Sequence, residues 1–100
     1  MRESRYRESR VCRVLGNPVV YATIFILEER GPMSPSDIAK AVRRRLPTVS
    51  GHLATLRGVD LVRYDRKGGQ TRYWLKHAAE AKRLLAALQA LVQVSGHMPD

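Results

Sequence analysis

Only Arg43, Arg44 and Arg45 separate two segments that each carry the marks of a helix. The first starts at Ser34-Pro35-Ser36-Asp37, with Ser34 at the N-cap, Pro35 at N1 and Asp37 at N3 near the positive helix end. Ile38, Ala39 and Val42 supply its inward contacts. In the second, Pro47 suits the first turn, where its missing N–H has no helical partner to lose. Val49, Leu53 and Leu56 follow at i, i+4 and i+7, a narrow apolar stripe on one helical face. Two helices joined by so short a link must turn sharply against each other, which is the helix-turn-helix spacing.

Arg57, near the end of this helix, is a further candidate for DNA contact; opposite the stripe lie Pro47, Thr48, Gly51 and Thr55, with Ser50 and His52 on the flanks. These are small groups and short hydrogen-bonders, not a second apolar face. A thin helix, polar outside and entered through consecutive arginines, is suited to a DNA groove. The charge agrees: 18 Lys and Arg against 9 acids in 100 residues give +9 and a pI near 10.6. That balance favours a polyanionic partner. The length fits one domain with a modest core. No apolar run of about 18 residues is present, so no membrane span is expected. The first ten residues hold no apolar stretch of the secretory kind. With one cysteine, Cys12, no internal disulfide can form, and a reducing cytoplasm is the expected location.

Around this centre the chain falls into order. Arg2-Glu3-Ser4-Arg5 recurs as Arg7-Glu8-Ser9-Arg10 at a period of five, which is not helical. Residues 1–10 are therefore expected as a mobile basic arm, 11–94 as the domain and 95–100 as a tail that includes His97. Val11, Val14 and Leu15 give a short helical face that Gly16 stops. Asn17-Pro18 opens a helix to Arg30 that is apolar nearly all round, the expected central core helix. β-Propensity alone would also admit a strand over 19–27; the N-cap and the closing Glu28-Glu29-Arg30-Gly31 favour helix. After Gly58 the apolar period changes from 3.6 to 2. Residues 61–66 and 70–75 flank Lys67-Gly68-Gly69 as a β-hairpin, its tip carrying Arg66, Lys67 and Arg72. A last helix from Ala78 to about Val94 gathers Ala81, Leu84, Leu85, Leu88, Leu91 and Val92 on a third of its circumference. That is more apolar surface than so small a core needs, and the excess implies a subunit interface.

Helix, helix-turn-helix, basic hairpin, terminal helix is the winged helix-turn-helix order, mainly α with a β-hairpin wing. The chain resembles the ArsR-type (arsenic-repressor) family of repressors from Leu15 to about Val92. Leu15-Gly16-Asn17-Pro18 resembles the family's L-x-D/N-P opening, and Asp37-Ile38-Ala39 the start of its first DNA-domain helix. Residues 46–56 are close to its Q-P-T-V-S-x-H-L-x-x-L recognition helix, Val59-Asp60-Leu61-Val62 to A-G-L-V, and 68–75 to the G-x-x-x-Y-x-L return strand. The resemblance implies a homodimer paired through its first and last helices, which brings Val11, Cys12 and Leu15 to the interface. It also implies repression by occupying a double-stranded DNA operator, expected as an inverted repeat. Two departures bear on base reading and sensing. Gly51 stands where the family often has a long polar side chain; either it permits close approach, or reading falls to Thr48, Ser50, His52 and Thr55. Ser34 and Ser36 occupy the positions of the metal-sensing C-x-C pair, and His77, Ala79, Ala90 and Gln93 those of the last-helix zinc ligands. Hydroxyls are poor ligands for soft metals, so no metal site and no cofactor are expected.

His52 is either a hydrogen-bonder to bases or a structural flank, and Cys12 either a half-buried small hydrophobe or a thiol switch across the dimer. No phosphate-cradling loop, paired carboxylates or Ser/His/Asp set can be assembled, so an enzyme is not expected. The rival reading is an architectural or protein-interaction winged-helix module without operator specificity.

Overall fold

Asn17 Oδ1 accepts from the backbone N–H groups of Val19 (2.9 Å) and Val20 (3.2 Å), and Pro18 takes the next position, so a helix starts there. The computed structural model describes residues 2–96. Its elements are α1 (Glu3–Leu15), α2 (Pro18–Arg30), α3 (Pro35–Val42), α4 (Leu46–Gly58), β1 (Val62–Lys67), β2 (Gln70–Leu75) and α5 (Ala78–Ser95). The expected order of elements holds throughout. His97 and the rest of the expected tail beyond Gly96 lie outside the described residues, as does Met1.

α2 touches every other helix and β2, which is why its sequence is apolar on all sides. Val20, Ile24 and Leu27 of α2 form the core with Ile38, Val49, Leu53, Leu56, Val62, Leu75 and Leu85. Thr23 is fully buried among them, and its hydroxyl donates to the Val19 carbonyl at 2.8 Å, so its own polar group is satisfied.

The first ten residues differ from expectation. Residues 3–10 are the first turns of α1 rather than an irregular arm. The five-residue repeat hides helical pairs formed between its two copies: Glu3 with Arg7 at 2.9 Å, four apart, and Arg5 with Glu8 at 3.9 Å, three apart. Each such exposed pair adds only about 0.3–0.5 kcal/mol. No Gly or Pro interrupts the segment, and Val14 and Leu15 tie its end to the domain. α1 meets α2 at 95°.

β1 and β2 pair antiparallel from Val62–Leu75 to Lys67–Gln70, closing on Gly68 (φ 57°) and Gly69 (φ 78°). Both turn residues have positive φ, the type I′ geometry that matches strand twist and that glycine adopts without strain. Met33 extends the sheet from the other side: its N–H donates to the Tyr73 carbonyl at 2.9 Å and its carbonyl accepts from Tyr73 N–H at 2.8 Å. The hairpin is thereby fixed to the start of α3.

Candidate nucleic-acid interface

Burial of three side chains sets the orientation of α4. Val49, Leu53 and Leu56 are all 0% exposed, as their spacing predicts, and the opposite arc of Pro47, Gly51, Ala54, Thr55 and Gly58 is exposed. Thr48 and Ser50 are exposed on either flank of that arc, and His52 is half-buried. A Cβ built on Gly51 meets nothing within 4 Å, so no internal contact requires glycine there. Thr55 Oγ1 donates to the Gly51 carbonyl at 3.2 Å. Its proton is spent within the helix, which leaves its methyl and lone pairs facing out. The outward line of α4 is therefore smooth, and its hydrogen-bonding side chains stand at the edges.

Cations border this surface. The turn is closed by Arg43 in the left-handed conformation (φ 56°, ψ 48°), with Arg44 N–H donating to the Ala39 carbonyl at 3.1 Å. All three turn arginines are exposed. On the hairpin, the register separates the charges expected at one tip. Tyr64, Arg66, Thr71 and Tyr73 share the face of buried Val62 and Leu75, whereas Lys67 and Arg72 lie on the other face. Arg72 stands directly opposite Asp65, so part of its charge is offset.

Arg57 is not a free cation. Its guanidinium lies 5.1 Å from the centre of the Tyr64 ring, which stacks on Tyr73 at 5.1 Å and 25°. This stack binds the end of α4 to the hairpin. Tyr64, which sequence reasoning passed over, is 47% exposed beside it. A second residue passed over is Leu46, 44% exposed at the start of α4 despite its apolar character. Its only sequence signal is a leucine at N1 after three arginines. Leu46 and Ser50 line a polar cleft of about 620 Å³ between the helix-turn-helix and the hairpin, together with Ser34, Ser36 and residues 69–72 of the hairpin.

A second surface lies between α1 and α5. A largely apolar cleft of about 910 Å³ there is lined by Val11, Cys12, Leu15, Leu84, Leu88 and Val92. Leu84, Leu91, Val92 and Val94 are 40%, 59%, 49% and 83% exposed. Two residues expected with them belong to the subunit's own core instead. Leu85 is 3% exposed and Ala81 packs against the buried cluster, because the inner arc of α5 covers α2. Cys12 is exposed on the cleft wall rather than half-buried.

The positions that could have carried metal ligands have other surroundings. Ser34 Oγ accepts from Asp37 N–H at 3.1 Å as the cap of α3, and among the described residues no three of His, Cys, Asp and Glu converge. Asp60 sits at φ 65° after α4 and is held by Lys76 Nζ at 2.7 and 2.8 Å. That hydrogen bond and charge keep its carboxyl below the ordinary carboxylate range. Among the described residues no single helix is long and apolar enough to cross a membrane.

Residues 22–64, from within α2 to the middle of β1, match the family of bacterial regulatory proteins of arsR type. No curated protein matches the chain. Among solved structures, the chain is similar to the transcriptional repressor BigR from Xylella fastidiosa, at 29% identity and TM-score 0.77 over 89% of this chain and 90% of that one. It shares its fold with a homodimeric winged helix-turn-helix DNA-binding domain from Mycobacterium bovis, at 23% identity and TM-score 0.79 over 100% and 96%. It does so equally with NolR from Sinorhizobium fredii, at 21% identity and TM-score 0.79 over 89% and 87%.

Proposed function

We infer that this chain, whose residues 22–64 carry the arsR-type helix-turn-helix, is a cytoplasmic transcriptional regulator that binds an inverted-repeat operator as a homodimer and represses by occupying it. The observation that carries the reading is the exposed face of α4. A smooth outward line with short hydrogen-bonders at its edges fits between the walls of a major groove. Exposed cations stand where groove walls would put phosphates, at the turn before α4 and on the hairpin. Phosphate contacts fix position, and the edge residues Thr48, Ser50 and His52 read bases.

A second copy of this chain is the occupant that fits the α1–α5 cleft. The apolar stripe runs along most of α5, so a two-fold partner covers it with the same stripe. The Mycobacterium bovis relative is a homodimer, and the Xylella relative is a repressor. Pairing of this kind sets the two α4 helices to enter successive major grooves, ~34 Å apart. With hydroxyls at positions 34 and 36, sensing does not run through a thiolate-bound metal.

The test begins with selection of bound fragments from genomic DNA, followed by affinity against salt for the selected operator and for scrambled duplex. Replacing Ser50 or His52 costs about 1–3 kcal/mol on the operator and much less on scrambled DNA. Replacing Lys67 weakens both alike and lowers the salt slope by about one for each lost contact. Equal losses on both duplexes for the Ser50 and His52 variants would overturn base reading and leave the architectural alternative.

A further inference from the structure

We propose that Leu46 is a specificity-determining residue that reads the 5-methyl group of a thymine in each operator half-site. The inference rests on the DNA-binding reading above and adds the base and the group that is recognised. α4 has three apolar side chains with no exposure at all, yet Leu46 leaves 44% of its surface in solvent. It occupies the first helical position, the end of a recognition helix that meets base edges. At about 100° per residue it lies roughly 40° around the helix from Ser50 and on the opposite flank from Thr48. That flank opens on the cleft shared with Ser50, Thr71 and Arg72.

The surroundings decide what can cover it. Arg44 and Arg45 precede it and are exposed, so an apolar protein patch seated on Leu46 would bring those cations against it. DNA supplies the matching arrangement, with phosphates for the arginines and, between them, one apolar group. In the major groove that group is the thymine methyl. Leucine can make no hydrogen bond to a base edge, so its contribution is confined to that methyl. The thymine lies on the hairpin side of the helix, away from the bases reached by Thr48 and His52.

The experiment uses the full chain and the selected operator, with each thymidine replaced singly by deoxyuridine, which removes only the methyl group. One position in each half-site is expected to weaken binding about fourfold, the value of one buried methyl-sized group. In Leu46→Ala and in Leu46→Gln that position becomes insensitive, while any other methyl-sensitive position keeps its effect. Because Leu46 is exposed, both variants are expected to retain the thermal midpoint of the parent. If operator binding is intact but no deoxyuridine effect depends on residue 46, this proposal fails and the DNA-binding reading stands. If the parent does not distinguish operator from scrambled duplex, both fail.

Discussion

Replacing Arg43 by glycine is expected to stabilise the protein and to weaken its grip on DNA. Arg43 closes α3 at φ 56° and ψ 48°, a conformation usually given to glycine at this point of a helix end. The left-handed region costs an ordinary L-residue roughly 1–2 kcal/mol. Glycine returns about 0.5–1 kcal/mol of that through the greater freedom of its unfolded chain. The net gain is about 0.5–1 kcal/mol, which in a domain of this size raises the thermal midpoint by roughly 2–8 °C at fixed protein concentration. The side chain is exposed, so no packing is lost. If Arg43 contacts a phosphate in each subunit of the proposed homodimer, the salt slope falls by about two. Arg44→Ala is the control: it removes a neighbouring charge from a residue with negative φ, so the slope falls without a gain in stability. Scanning calorimetry and affinity against salt read the two effects separately. A lower midpoint for Arg43→Gly, or a higher one with an unchanged salt slope, would refute the argument that strain is kept here for a phosphate-binding cation.

Leu88→Arg puts a guanidinium into the apolar α1–α5 cleft, and sedimentation at micromolar concentration is expected to show monomer; a persistent dimer would move the interface elsewhere. Gly51→Ala meets no neighbour and should stabilise α4 by about 1 kcal/mol. If close approach to the groove is the reason for glycine, the same variant loses operator affinity, and unchanged affinity assigns base reading wholly to the edge residues. Asp60→Asn keeps a side chain that tolerates positive φ but removes the ion pair with Lys76. The folded carboxyl titrates below its unfolded value, so the ion pair's stabilisation is complete above about pH 3.9 and fades as pH falls through the lower folded value. Denaturation midpoints of parent and variant should therefore converge in acid, and a constant gap between pH 2 and pH 7 would exclude the ion pair as the cause.

Local chemistry in the sequence was enough for most of the framework. Asn17 and Ser34 form the caps their positions predict, Gly68-Gly69 makes the turn, and the Val49–Leu53–Leu56 stripe points inward. Each of these depends on residues within a turn or two of one another, so the sequence carries the whole cause. The helical α1 is legible too, in pairs three and four apart that run between the two copies of the five-residue repeat. Other facts depend on residues distant in the chain. On α5, one angular step separates Leu85, which fills the core, from Leu84, which faces the cleft, and only the seat of α5 on α2 decides between them. The cation–π contact of Arg57 exists only because the hairpin folds back and sets Tyr64 beneath it. Leu46 looked like one more apolar residue, and its exposure follows from where the hairpin stops short of covering it. Composition and period specify which segments become helix or strand because backbone hydrogen bonding is local. Which side chains remain exposed was decided by tertiary packing, since burial of each face depends on what the rest of the chain lays against it.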